Sequence, residues 1–300
     1  MYNKILVPLD GSKLAECVLP HVEAIAAGNK VAVTFLYAIQ PLDVPLTKPE
    51  FKSRIESEAR AAAHDYLKEL IANLKYKDAA QGKVVLGKVA DNIVDYATEN
   101  KMDVIIMATH GRSGVSRWVS GSVAEKVLHA SKVPIWLIRA CEPSAAYQKI
   151  NMLVPLDGSE LAEKVLSHVK ELTEHFGAKS VDITLLRVCE LFFPPYNYPP
   201  PTPLSWEEYL EYETKRCTEI CQAYLSRVEE RLKNEELNVR SVVPTGNPAN
   251  AIVDYANKNA VGLIVMATHG RTGISRWALG SVADKVVMGA TSPIFLVRNA

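Results

Sequence analysis

Twice in this 300-residue chain the same chemistry-bearing run recurs, as MATHGRSGVSRWVSGSVAEKV at 107–127 and MATHGRTGISRWALGSVADKV at 266–286. Each contains a Gly-Ser pair, Gly121-Ser122 or Gly280-Ser281, where a helical pattern begins. A helix start offers unpaired N–H groups and a partial positive charge, and phosphate suits both. The glycine lets backbone approach an anion closely, and the serine adds a hydroxyl. Each charge at a helix end is worth roughly 0.3–1 kcal/mol when exposed and about 2 when partly buried. Several donors together can therefore hold a triphosphate without a dedicated lysine. The plainer use of the same residues is close packing by glycine and N-capping by serine. Two copies with equal spacing favour a shared ligand, because exposed loops otherwise drift. Neither GxxxxGK[ST] nor GxGxxG occurs, which excludes a P-loop and a dinucleotide fingerprint.

A second element is VPLDGS, carrying Asp10 in the first half and Asp157 in the second. If strand one is central in its sheet, these carboxylates emerge at the crevice where strand order reverses. A carboxylate accepts hydrogen bonds and repels phosphate, so it would face the base or sugar of a nucleotide. Equally, Asp10 or Ser12 could cap the following helix. Within the glycine loops, Arg112 and Arg271 could pair with phosphate or lie solvated or at an interface. Ser113 and Thr272 could add hydroxyl contacts. His110 and His269 invite an acid–base reading, yet spacing fixes no partner carboxylate or nucleophile, so packing or loop hydrogen bonding is the stronger reading. Trp118 and Trp277 look like core or interface anchors.

The elements that must position these residues are legible as a duplication. KILVPLDGSKLAE at 4–16 answers NMLVPLDGSELAE at 151–163, IVDYATEN at 93–100 answers IVDYANKN at 252–259, and VPIWLIR at 133–139 answers SPIFLVR at 292–298. The joint falls in ACEPSAAYQK at 140–149, which sets domains at 1–141 and 149–300. In the first unit, apolar runs predict strands near 4–9, 31–38, 83–88, 103–108 and 134–139. Helical spacing predicts helices near 13–27, 50–75, 91–100 and 121–131. Runs apolar throughout, such as KILVPL and VIIMA, fit strands covered on both faces of a parallel sheet. The expected fold class is α/β, with two tandem Rossmann-like doubly wound domains. Each would hold a five-stranded parallel sheet flanked by helices. Residues 189–213 lengthen the connection after strand two in the second half. Their proline run predicts a stiff loop that could be a lid, a plain surface loop or a contact between chains.

Composition narrows the partners. Lys plus Arg equals Asp plus Glu, 34 against 34, so no overall basic field attracts nucleic acid or an anionic membrane. No apolar run is long enough to span a bilayer. The first strand-like run starts almost at Met1, leaving no room for a signal peptide. Five cysteines without paired metal spacing suit a reducing cytosol. Cytoplasmic localisation is therefore expected. Cys217 and Cys221, four apart on a helix, could meet on one face.

On these motifs the chain resembles a tandem member of the universal stress protein family. That family's nucleotide motif is a glycine, two residues, a glycine, nine residues, then Gly-Ser or Gly-Thr. Its counterparts here are Ala108, Gly111 and Gly121-Ser122, and again Ala267, Gly270 and Gly280-Ser281. The resemblance further implies ATP contacts from Pro8, Asp10, Ala38, Met107 and Val123, and from Pro155, Asp157, Val188, Met266 and Val282. Alanine replaces the first glycine in both copies. It would cost about 1–2 kcal/mol in a left-handed backbone and little in an extended one. The resemblance implies ATP, with Mg²⁺, setting conformation or partner choice without catalysis of its own. A slow ATPase or phosphotransferase and a nucleotide-free interaction module are the alternatives. It also implies pairing of the two domains through last strands 134–139 and 293–298, and a homodimer.

Overall fold

The computed structural model describes residues 2–26, 31–41, 49–109, 122–139, 149–191, 205–269 and 279–298. The first half runs β1 (Lys4–Leu9), α1 (Leu19–Ala26), β2 (Ala32–Ile39), α2 (Pro49–Ala72), β3 (Ala80–Leu86), α3 (Val89–Glu99), β4 (Val104–Ala108), α4 (Ser122–Ala130) and β5 (Ile135–Ile138). The second runs β6 (Ile150–Pro155), a short turn of helix α5 (Glu160–Glu163), α6 (Val165–Phe176), β7 (Val181–Leu186), α7 (Trp206–Lys233), β8 (Val239–Val242), α8 (Pro248–Lys258), β9 (Leu263–Ala267), α9 (Ser281–Gly289) and β10 (Ile294–Val297).

Strands apolar throughout are covered on both faces. Ile5 and Val7 of β1 enter one core, while Leu6 enters the other. In β4, Val104 and Ile106 face the first core, and Ile105 and Met107 the second. The strands form one sheet in the order β3-β2-β1-β4-β5-β10-β9-β6-β7-β8. Pairing is parallel within each half, and β5 meets β10 antiparallel, with Trp136 opposite Phe295. The two five-stranded sheets thus merge into one of ten strands. In each half the chain turns back between the first and fourth strands, so β1/β4 and β6/β9 flank the switch points where such folds hold ligands.

Three local differences from the sequence expectation have physical causes. The first helix opens as a 3-10 turn at Ala15–Val18 and becomes α-helical only from Leu19. Pro20 lacks an N–H and is tolerated only in the first turn of an α-helix. Strand β3 starts at Ala80 rather than 83, because polar residues extend the ladder with β2 and Gln81 donates to Thr34 Oγ1 at 2.9 Å. In the second half, Trp206–Glu213 are helical rather than part of a long loop. Ser205 and Glu208 form a capping box that begins α7 there. The proline run at 199–203 lies outside the described residues, and with it the lid reading of that segment.

Candidate functional site

Both Asp-Gly-Ser turns assign the helix cap in the same way. Asp10 Oδ1 accepts the N–H of Ser12 at 2.9 Å and its hydroxyl at 2.7 Å, and Ser12 Oγ accepts the N–H of Ala15. Asp157 Oδ1 likewise holds Ser159, whose Oγ caps α5 through Ala162 N–H at 3.1 Å. Serine is the cap, and aspartate locks the serine through one oxygen. Gly11 and Gly158 between them have φ of 82° and 89°, a left-handed conformation that favours glycine.

In the second half the carboxyl ends of β6, β7 and β9 and the start of α9 enclose a cavity of about 600 Å³. Pro155, Asp157, Val188, Met266, Ala267, Gly280, Ser281 and Val282 all line it. Eight of the ten second-half candidates therefore meet at one place, and the other two, Gly270 and Arg271, lie outside the described residues. Gly280 is the N-cap of α9, in extended conformation, and as a glycine brings no side chain to cap that helix. Its own N–H donates to Thr268 O at 2.8 Å. The first-turn N–H groups of Ser281, Val282 and Ala283 come next, at the cavity wall.

The alanine that departs from the glycine motif is harmless to the backbone. Ala267 is the last residue of β9, paired with Val297, and Ala108 is the last of β4, paired with Ile138. Neither has positive φ, so the extended case applies. His269 also lines the cavity, with Nδ1 3.0 Å from Thr268 Oγ1.

First-half candidates occupy equivalent places. Pro8 and Asp10 end β1, Ala38 lies near the end of β2, Met107 and Ala108 end β4, and Ser122 and Val123 open α4. Gly111, Arg112 and Gly121 lie outside the described residues, as do His110, Ser113, Trp118, Thr272 and Trp277.

Several cavity residues escape the motif reading. Arg187 follows Leu186, which pairs with Pro155, just as Tyr37 follows Leu36, which pairs with Pro8. The second half therefore has arginine where the first has tyrosine. The Arg187 guanidinium lies 4.6 Å from the centre of the Tyr224 ring. A Cβ at Gly158 would meet its Cζ at 2.9 Å. Tyr224 Oη donates to Glu163 at 3.0 Å, and Tyr66 to Glu16 at 3.2 Å. Burial raises both phenols far above their usual range, and the neighbouring carboxylates add to it, so both remain protonated donors. Lining up DITLLRV at 182–188 with AVTFLYA at 32–38 would have revealed the Tyr-to-Arg exchange. A correction concerns the thiols: the cysteines expected to suit a reducing cytosol include a disulfide, Cys189–Cys217, while Cys221, on α7 with Cys217, is a buried free thiol. This ties α7 to the chain leaving β7, and no local sequence pattern joins partners 28 residues apart.

Comparison with known proteins agrees with this architecture. The model of the universal stress protein family matches residues 1–139 and 150–298. A universal stress protein from Mycolicibacterium smegmatis is 24% identical, over 98% of this chain and 96% of its own. One from Methanocaldococcus jannaschii is 31% identical over 51% of this chain and 83% of its own. The crystal structure of a universal stress protein from Archaeoglobus fulgidus aligns with a TM-score of 0.65 at 19% identity, covering 100% of this chain and 97% of that one. At that identity the last likeness speaks for the fold.

Proposed function

The chain belongs to the universal stress protein family, and from that premise we propose that it is a nucleotide-binding regulator rather than a catalyst. Each half, 1–141 and 149–300, is a unit that binds a nucleoside triphosphate at its switch point. ATP accompanied by Mg²⁺ is the ligand the family resemblance suggests. The observation that carries the proposal is the start of α9, whose N-cap is a glycine and which opens into the same cavity as Asp157 and Val188. Polyphosphate would lie against the N–H groups of Ser281 and Val282, with the nucleoside across the ends of β6 and β7. Gly280 fits this cradle, since a Cβ there would stand 3.0 Å from Thr268 O.

The described residues hold no cluster of three metal-binding side chains. Mg²⁺ suits such a site because it is usually held by phosphate oxygens and waters with one or two carboxylates. With Asp157 given to the nucleoside, Glu190 and Glu213 are the remaining carboxylates that line the cavity. The bound nucleotide would set the protein's conformation or its choice of partner. Cytoplasmic action as a homodimer belongs to the same proposal, and no helix among the described residues is long and apolar enough to cross a membrane.

Denaturing the purified protein and chromatographing what it releases, followed by calorimetric titration with ATP and Mg²⁺, tests this reading. Released nucleotide or saturable heat is expected. Absence of both would leave a nucleotide-free interaction module. ADP accumulating on incubation, in wild type but not in Asp157→Ala, would move the protein to the ATPases.

A further inference from the structure

We propose that Arg187 makes the second cleft selective for guanine nucleotides, a preference the first cleft does not share. The inference rests on the nucleotide reading above and names the base at one of its two sites. Arg187 lines the cavity beside Asp157 and Val188, half-buried at the end of the ladder between β6 and β7. Its Nε is buried without a hydrogen-bond partner, and no carboxylate among the described residues forms an ion pair with the group. What holds the guanidinium is its place over the Tyr224 ring and against Gly158. Stacking on an aromatic face fixes the plane of the fork and leaves its edge nitrogens to donate. A partly desolvated guanidinium is costly unless acceptors meet it.

Position decides which acceptors those are. With phosphates at the start of α9, beyond β9, the end of β7 lies two strand spacings away, roughly 10 Å. That is the reach from the phosphates of a nucleotide to its base, so Arg187 meets base rather than phosphate. Guanine presents two adjacent acceptors, O6 and N7, that match a guanidinium fork. Adenine presents N7 beside an amino donor that would face the fork donor to donor. In the first cleft, Tyr37 occupies the matching position and spends its hydroxyl on Asp10 O at 3.0 Å. Its ring packs edge-on to Tyr66, with centres 5.9 Å apart, and offers no fork.

The test is calorimetric titration of the full chain with GTP and with ATP, each with Mg²⁺, for wild type, Arg187→Tyr and Arg187→Lys. Arg187→Tyr installs the residue that the first half already accommodates. Arg187→Lys keeps the charge without the fork. One site per chain should bind GTP roughly 10- to 100-fold tighter than ATP. Both variants should lose that preference while the other site is unchanged. Equal binding of GTP and ATP at both wild-type sites, or tighter ATP at both, overturns the inference and leaves nucleotide binding standing. A GTP preference that survives Arg187→Tyr overturns the role of Arg187. Heat from neither nucleotide overturns the reading beneath it as well.

Discussion

A methyl group at Gly280 would stand 3.0 Å from Thr268 O, the oxygen that already accepts the Gly280 N–H at 2.8 Å. Both partners are backbone, so neither can swing away, and the cap itself must move. Charge at a helix end is worth about 0.3–2 kcal/mol. Gly280→Ala should therefore weaken nucleotide binding about 2- to 30-fold in a calorimetric titration, with little change in melting temperature. Unaltered affinity would mean that the start of α9 does not hold the ligand. At this scale the sequence was only partly legible. Gly-Ser spacing announced the helix start, and the turns at Asp10 and Asp157 were narrowed to two roles. That serine is the cap depends on which oxygen reaches which N–H, which spacing cannot show. Arg187 lay outside any motif, because its importance comes from the tyrosine beneath it and the glycine beside it.

Among the elements, α7 departs most from its first-half counterpart. It spans Trp206–Lys233, and its amino-terminal half supplies a wall of the second cavity through Tyr209, Glu213 and Arg216. The Cys189–Cys217 disulfide staples that wall to the exit of β7 and closes a loop of 28 residues. A loop of that size constrains the unfolded chain by about 3–4 kcal/mol on the chain-entropy model. In urea, Cys217→Ser should lose about that much stability relative to the oxidised protein and match wild type kept in a reductant. Identical unfolding midpoints for oxidised and reduced wild type would contradict the prediction. Continuous apolar runs gave the strands away, and helical spacing gave the helices. Their ends were less legible wherever a proline, a capping box or cross-strand bonding decided them, as at Pro20, Ser205 and Ala80.

Across the whole molecule, the halves are joined by more than the β5–β10 ladder. Arg139, just after β5, donates to Met288 O at 2.8 Å at the end of α9. Arg298, just after β10, donates to His129 O at 2.6 Å and Ser131 O at 2.9 Å at the end of α4. Each half thus supplies a cation to the negative end of the other's last helix. Arg298→Ala should cost about 1.5–3 kcal/mol, the worth of hydrogen bonds to a charged group, read as a lower urea midpoint with unchanged slope. The buried junction collects Trp136, Phe295, Phe176 and Tyr2 with three histidines. Burial lowers the pKa of His21 to about 4, and it also depresses His168 and His175. Between pH 6.5 and 4 the unfolded chain binds protons that the folded His21 refuses. Stability is therefore full above about pH 6.5 and falls as pH drops toward 4, by roughly 3 kcal/mol for His21 alone. Urea midpoints should decline across that window, less steeply in His21→Leu, and a flat profile would contradict this. Repetition in the sequence exposed two units, but the aromatic and histidine contacts at their junction join residues far apart in the chain, such as Tyr2 with His175 and Tyr2 with Phe295. No local pattern marks such pairs.

The central claim is that backbone amides opening α9 hold the phosphates of a nucleotide. A crystal structure of the full chain grown with ATP and Mg²⁺ tests it most directly. Phosphate oxygens within hydrogen-bonding distance of the Ser281 and Val282 N–H groups, with the nucleoside between Asp157 and Val188, are the predicted result. Nucleotide bound elsewhere, or a second cleft without it at saturating ATP, would contradict the account.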